Sequence, residues 1–201
     1  MADWNEDSLQ LRHNLVQVLD SIQEHARRRA TPTIEDVRSR HTRVMRGLEV
    51  PDQNFVGKFR GEACIENINV RIGRYFGVNA GQVANELAQF EQTLQRAVHR
   101  LDQLLPPGTE LDTDTALAIL DLCAWAHAEW VRIHPFANGN GRIARLLANS
   151  LAMRYELPPF VRLRPRPGDE YGSACEQAMT GNWEPTARVF HRMLTNFFHK
   201  T

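Results

Sequence analysis

Residues 134–145 read His-Pro-Phe-Ala-Asn-Gly-Asn-Gly-Arg-Ile-Ala-Arg, a polar, glycine-punctuated stretch between two apolar runs. Gly139 and Gly141 let the backbone turn tightly and approach a ligand closely. The apolar run that follows predicts a helix, whose unpaired N-terminal amides and dipole favour an anion. Arg142 and Arg145 are three residues apart and therefore expected on one side of its first turn. Cations are unfavourable there unless something negative lies between them. The stretch therefore predicts a phosphate site.

His134 begins this stretch, and histidine is the side chain best suited to proton transfer near neutral pH. An ordinary interhelical loop with a solvated histidine would show a similar pattern, so the residues alone leave both interpretations open. A metallohydrolase built on His127 and His134 is a weaker alternative. Their seven-residue spacing spans the predicted helix end, and no third ligand stands out. His127 lies on an apolar helical run and is better explained as a core residue.

Apolar periodicity indicates helices on both sides of this stretch. We predict helices over about 8–29, 33–48, 79–101, 113–130, 142–155, 169–180 and 183–199. Thr33 is the expected N-cap of the second helix. A β-branched segment flanked by glycines, Ile65–Ile72, predicts a single hairpin. The expected fold is one mostly α domain with one small β-hairpin, in which residues 1–32 form an N-terminal helical extension and 33–201 the main domain.

Composition excludes several classes of protein. Lys and Arg together number 24, as do Asp and Glu, so the 201-residue chain has no net charge to attract nucleic acid. The local run of Arg162, Arg164 and Arg166 is better explained as solvated loop charge. Three cysteines without CxxC spacing argue against a disulfide framework. No apolar run approaches the ~20 residues that span a bilayer. We expect a cytoplasmic protein, with secretion as an effector left open.

The stretch 134–145 resembles the signature of the Fic (Fic/Doc) family, His-x-Phe-x-Asp/Glu-Gly-Asn-Gly/Lys-Arg-x-x-Arg. Every defined position matches except Asn138. The similarity extends over about Val37–Phe198. Four further segments resemble the family: residues 126–133 before the motif, 146–149 after it, and Phe59-Arg60 and Ile72-Gly73 around its flap. By this resemblance residues 33–201 form a Fic domain.

The resemblance implies a protein adenylyltransferase, which moves AMP from ATP to a hydroxyl side chain of another protein. The implied catalytic residues are His134, the base that deprotonates the hydroxyl, with Asn140 and Arg142. The implied nucleotide-binding residues are Gly139, Asn140, Gly141, Arg142 and Arg145. Phe136 would anchor the loop to the core. Arg145 would reach the γ-phosphate or an inhibitory glutamate.

Asn138 stands where most active family members carry the Asp or Glu that binds Mg²⁺. Mg²⁺ prefers hard oxygen ligands and usually takes one or two carboxylates together with water and phosphate. An uncharged amide oxygen at Asn138 should hold Mg²⁺, or Mn²⁺ in its place, more weakly. Three outcomes stay open: a slower adenylyltransferase, a transferase that uses another phosphate-containing donor, and a nucleotide-binding module without turnover. Retention of His134 and both arginines favours catalysis.

The resemblance also implies partners. The flap, Ile65–Tyr75, would pair with the backbone of a target protein by β-augmentation. The family's inhibitory motif, Ser/Thr-x-x-x-Glu-Gly/Asn, has its nearest counterpart in Thr31–Asp36, which misses at the last position. We interpret Glu35 as a first-turn helix carboxylate, and we expect a separate, antitoxin-like protein to supply the glutamate. No nucleic-acid or membrane partner is expected, and the sequence leaves the oligomeric state open.

Overall fold

The computed structural model describes residues 8–199, which contain seven α-helices and one two-stranded antiparallel sheet. The elements are α1 (Leu9–Arg27), α2 (Ile34–Met45), β1 (Arg71–Ile72), β2 (Tyr75–Phe76), α3 (Val83–Leu104), α4 (Thr113–Ile133), α5 (Asn140–Arg154), α6 (Asp169–Ala178) and α7 (Glu184–Phe198). The predicted class, mostly α with one small hairpin, is confirmed. None of the described helices is both long and apolar enough to cross a bilayer.

Helix α4 forms the centre of the core and contacts α3, α5, α6 and α7. It is buried on most of its circumference, with Ala124, Ala126 and Ala128 giving neighbouring helices close access to its axis. Trp130 is fully buried near its C-terminal end, where Phe59, Phe90 and Phe136 surround it. Helix α5 follows after a short loop and packs along α4. The loop 134–139 therefore lies at one end of the best-packed helix pair of the molecule.

Helix α1 is capped by Ser8, whose hydroxyl accepts a hydrogen bond from the Leu11 backbone N–H at 3.1 Å. Its apolar stripe is buried and consists of Leu11, Leu15, Val18 and Ile22. The helix contacts both α2 and α5, so it shares the core of the main domain. The division after residue 32 stays a prediction, and residues 1–7, 200 and 201 lie outside the described part of the chain.

The hairpin is shorter than predicted. Only Arg71–Ile72 pairs with Tyr75–Phe76, with Arg71 opposite Phe76 and Ile72 opposite Tyr75. The preceding residues make other hydrogen bonds: the Ile68 carbonyl accepts from the Arg60 guanidinium, and the Asn69 side chain accepts from the Ala80 N–H. These backbone groups are thus bonded to side chains and do not pair with a neighbouring strand, as a longer hairpin would require. Phe76 is 67% exposed on the outer surface of the hairpin.

Candidate active site

His134 ends α4 in the left-handed backbone conformation, with φ of 53°. Its N–H still bonds to the Trp130 carbonyl at 3.0 Å, and its own carbonyl accepts from the Arg60 Nε at 2.8 Å. A residue with a Cβ adopts this conformation only at a cost, so both bonds matter for holding it. The corner turns the chain from the end of α4 into the loop.

The imidazole of His134 lines a cleft at this corner. Its Nδ1 lies 3.1 Å from the Val131 carbonyl oxygen. Because a carbonyl can only accept, Nδ1 carries the proton, and Nε2 is the nitrogen with the basic lone pair. The structure thus gives His134 the tautomer that a general base needs.

Asn140, the first residue of α5, fixes the shape of the loop. Its side-chain oxygen accepts from the Phe136 N–H at 2.9 Å, and its side-chain nitrogen donates to the Phe136 carbonyl at 2.8 Å. The side chain is buried and both of its polar atoms are used here. Asn140 was expected to form part of the anion hole, and its backbone N–H at the start of α5 is placed for that role.

His41 of α2 packs against the loop and bonds to it. Its ring stacks on Phe136 with centroids 3.7 Å apart, as the expected anchoring role of Phe136 requires. The Gly57 N–H donates to its Nδ1 at 3.0 Å, so Nε2 carries the proton and donates to the Asn138 carbonyl at 3.1 Å. Burial, with a further contribution from the Arg142 charge, lowers the pKa of His41 to about 3. His41 is therefore a neutral bridge between two segments.

The start of α5 is built for a ligand close to the backbone. Gly139 has φ of 79°, a conformation that favours glycine, and a Cβ there would lie 2.4 Å from the terminal methyl of Met45, which would have to shift. The first helical bond runs from the Ile143 N–H to the Gly139 carbonyl at 3.0 Å. No side chain in the described part of the chain caps this helix. Its first amides are accordingly placed to bind an anion.

The two arginines of α5 separate, contrary to our expectation that they share one side of the helix. The Arg142 Nη1 lies 4.0 Å from the Met45 sulfur of α2, and Arg142 is not among the described residues that line the cleft. Arg145 lines the cleft and turns toward Tyr171 of α6. Three residues rotate a helix by about 300°, which leaves long side chains about 60° apart, enough to diverge.

Arg145 is weakly held although it is buried. Its Nη1 lies 3.4 Å from the Tyr171 hydroxyl and its Nη2 3.3 Å from the Leu163 carbonyl, both long distances. Its Nε has no hydrogen-bond partner in the described residues. A Cβ on Gly141 would lie 3.4 Å from its Nη1, so the guanidinium stands beside the N-terminus of α5. A buried cation with unmet donors favours an anionic ligand.

The cleft has a volume of about 470 Å³, within the range of small-molecule sites. It lies between the hairpin, the loop, the start of α5 and α6. Predicted site residues that line it are His134, Asn138, Gly139, Asn140, Gly141 and Arg145. Arg71 of β1 and Arg166 add two further cations, and Arg166 belongs to the run that we had interpreted as solvated loop charge. Glu176 is the one carboxylate in the described lining.

The donor set does not fit a magnesium site held by the protein. The loop offers an amide at Asn138 and no carboxylate, and Glu176 belongs to α6. The described residues contain no cluster of three or more His, Cys, Asp or Glu side chains that could hold a metal ion. His127 is fully buried, with Nε2 2.8 Å from the Tyr171 hydroxyl. The site is suited to a polyphosphate rather than to a bare cation.

Two side chains that shape the candidate site, His41 and Tyr171, were not predicted from the sequence. His41 follows Val37 and precedes Val44 on the buried stripe of α2, so its position inside could have been predicted. Its partners, 16 and 97 residues away in the chain, could not. Tyr171 gave no local signal at all, because its contact with Arg145 depends on how α6 packs.

The model of the Fic/DOC family matches residues 31–152, more than half of the chain. The chain belongs to this family. Two curated relatives of this Fic protein are called protein adenylyltransferases. The one from Drosophila persimilis is 30% identical over 129 residues, 64% of this chain and 21% of the relative. The one from Caenorhabditis briggsae is 28% identical over 156 residues, 78% of this chain and 26% of the relative.

Solved Fic structures share the fold. The effector BepC of Bartonella tribocorum, solved with bound AMPPNP, aligns with a TM-score of 0.66 at 18% identity, over 91% of this chain and 83% of BepC. A Fic domain-containing signaling protein from Bacteroides thetaiotaomicron aligns with a TM-score of 0.63 at 19% identity, over 92% and 69% of the two chains. This Fic chain spans about a fifth of the length of its curated Drosophila relatives.

We expect mild acid to destabilise this Fic protein, because His41 and His127 are buried in the neutral form. Burial lowers the pKa of both His41 and His127 to about 3, from an ordinary value of 6.5. Below pH 6.5 the unfolded chain therefore binds protons that the folded chain does not, and the free energy of unfolding falls with pH. Each histidine should remove about 2 kcal/mol between pH 7 and pH 5.

Urea denaturation at the two pH values measures this loss. His127→Phe keeps an aromatic ring and removes one titrating group, so its loss of stability between pH 7 and pH 5 should be about 2 kcal/mol smaller than that of the wild type. An equal pH dependence in both proteins would show that His127 is not held neutral in the folded state.

Proposed function

We propose that this Fic protein is an adenylyltransferase that transfers AMP from ATP to a hydroxyl side chain of another protein. One arrangement carries the proposal: the basic nitrogen of His134, the open N-terminus of α5 and the guanidinium of Arg145 belong to one cleft. The names of the curated relatives and the AMPPNP bound to BepC support the same chemistry.

The triphosphate of ATP would bind at the start of α5. The amides of Gly139, Asn140 and Gly141 would donate to its α- and β-phosphates, helped by the helix dipole. Arg145 would satisfy its buried donors on the terminal phosphate, and Arg166 adds positive charge. Arg142, which points toward α2, would act by its charge and its backbone rather than by direct contact.

The reaction needs one base and one leaving group. The Nε2 of His134 would take the proton from the target hydroxyl as that oxygen attacks the α-phosphorus. The bond from the α-phosphorus to the bridging oxygen would break, and pyrophosphate would leave with its electron pair. The amides of α5 would stabilise the charge that develops on the phosphate oxygens. Mg²⁺ or Mn²⁺ would enter with ATP, carried by phosphate oxygens and water.

His134→Ala tests the assignment of the base. Removing the imidazole takes away the proton acceptor but none of the donors on α5, so label transfer from α-labelled ATP should fall about 100- to 10,000-fold. The affinity for a fluorescent ATP analogue should stay within about twofold, because general-base catalysis acts on the transition state. Intact mass should show a gain of one AMP on the wild-type chain or on a lysate protein.

His191→Ala is the matched control, since His191 lies on the exposed face of α7, and it should label like the wild type. Transfer by His134→Ala at the wild-type rate would refute the assignment of the base. Nucleotide binding without transfer in the wild type would instead support the alternative of a binding module, which Asn138 favours. A mass gain other than AMP would identify another donor.

Asn138→Asp tests that alternative directly. A carboxylate at this position would bind the metal that accompanies the triphosphate, so transfer should become faster, by about tenfold in Mg²⁺. Asn138→Ser changes the side chain without adding charge and serves as the control. Labelling at several Mg²⁺ concentrations measures the effect. If Asn138→Asp binds nucleotide and transfers no faster than Asn138→Ser, charge at this position does not limit the reaction.

We propose that a target protein docks along the flap, Ile65–Tyr75, and that an antitoxin-like protein inhibits the site by offering a glutamate to Arg145. Arg145 forms no ion pair within residues 8–199. Glu35, which belongs to the nearest inhibitory string, is exposed and pairs with Arg38 at 3.1 Å. We also propose a cytoplasmic location, which the free thiols of Cys64, Cys123 and Cys175 support.

The inhibitor proposal predicts that a protein captured by this chain suppresses label transfer when added in equimolar amount. Suppression should disappear when one glutamate of the captured protein is changed to glutamine, because the amide cannot form an ion pair with Arg145. Transfer assays with α-labelled ATP measure both. Transfer that continues at the full rate beside the captured protein would refute inhibition in trans.

A further inference from the structure

Arg60 is buried without a carboxylate partner in the described residues, and its guanidinium donates instead to backbone carbonyls. The four acceptors are His134 at 2.8 Å, Ile133 at 3.0 Å, Ile68 at 3.1 Å and Val78 at 2.7 Å. Its side chain is as deeply buried as the apolar core, with 1% exposed. All of its charge is therefore directed at the main chain.

These acceptors come from two places. Ile133 and His134 form the corner that ends α4, whereas Ile68 precedes β1 and Val78 follows β2. The backbone of Arg60 adds another bond to the corner, from its N–H to the Pro135 carbonyl at 2.8 Å. One residue thus joins both ends of the hairpin to the residue that we assign as the base.

Gly77 brings the hairpin against His134 itself. A Cβ built on Gly77 would lie 2.8 Å from the His134 Cβ and 3.1 Å from the Arg60 Nη2. These distances are too short for any residue other than glycine. The Gly77 N–H also donates to the Val70 carbonyl at 3.1 Å, which closes the base of the hairpin. The hairpin, the guanidinium and the base are consequently in direct contact.

Burial opposes a charge at Arg60. Desolvation lowers its pKa to about 10, which still leaves it protonated at neutral pH. An apolar side chain would fill the same space without that penalty, but it could not donate to four carbonyls. The corner that Arg60 holds is the left-handed turn of His134, which needs outside support. The arrangement favours a role in positioning over a role in general stability.

We propose that Arg60 is a positioning residue that sets the distance between the flap and His134. This proposal rests on the proposed function, because a hydroxyl presented by a target on the hairpin must meet the Nε2 of His134. Arg60 touches neither the cleft nor the reacting atoms, and it acts through the carbonyls of the corner and the hairpin. Gly77 has the complementary role of allowing the close approach.

Arg60→Lys and Gly77→Ala test the proposal in the full chain. In Arg60→Lys the charge is kept, but one ammonium cannot donate to four carbonyls. In Gly77→Ala the added methyl group pushes the hairpin away from His134 without removing a hydrogen-bond donor. Both variants should lower kcat for label transfer from α-labelled ATP to lysate proteins, by about 100-fold, as expected for a misplacement near 1 Å. The affinity for a fluorescent ATP analogue should stay within about twofold.

Arg154→Lys is the matched control. Arg154 is also a buried arginine, paired with Asp102 at 2.5 Å and with the Ala30 carbonyl at 2.7 Å, at the far end of α5. It should lose thermal stability and keep its transfer rate per folded molecule. If Arg60→Lys and Gly77→Ala, shown to be folded by circular dichroism, transfer at the wild-type rate, the proposal is wrong. Equal losses of transfer and of nucleotide affinity would also overturn it.

Hydrogen exchange separates this proposal from the proposed function. In Arg60→Lys the amides of residues 65–78 and of residues 133–136 should exchange faster together, whereas in Arg154→Lys they should match the wild type. This result would support the mechanical link even if the wild type transfers no AMP. Unchanged exchange in both segments of Arg60→Lys would refute the link even if AMP transfer is established.

Discussion

The paired hydrogen bonds between the Asn140 side chain and the backbone of Phe136 hold the whole site together. They close the loop into one conformation while the residues on either side belong to the two best-packed helices. The ring of Phe136 stacks on the ring of His41. With this closure in place, the start of α5 and the end of α4 face a common cleft, and the remaining contacts refine its geometry.

Local chemistry decided what could be predicted from the sequence. The glycines, the proposed base and the proposed anion-binding helix end all lie in residues 134–145, so their relation follows from the local backbone. The divergence of Arg142 and Arg145 depends on Met45 and Tyr171, which come from helices at opposite ends of the chain. The length of the hairpin was overestimated for a similar reason. The β-branched run predicts a longer strand, but the Ile68 carbonyl within it accepts a hydrogen bond from the Arg60 guanidinium.

The charged side chains that line the cleft favour an anion over a cation. Three guanidiniums, those of Arg71, Arg145 and Arg166, line it against one carboxylate in its described wall, so the cleft is electropositive. Such a site attracts phosphate and has low affinity for a cation. On the proposed function, the protein would recognise the phosphates of the nucleotide, and the nucleotide itself would supply most of the ligands of a metal ion.

The short hairpin limits how tightly another protein could bind to its edge. With two residues in each strand, its edge offers another chain few backbone groups to pair with. An extended segment added there would be held mainly by side chains such as the exposed Phe76. Because few backbone hydrogen bonds would add to its affinity, we expect a docked segment to dissociate fast and to have a short residence time on the hairpin.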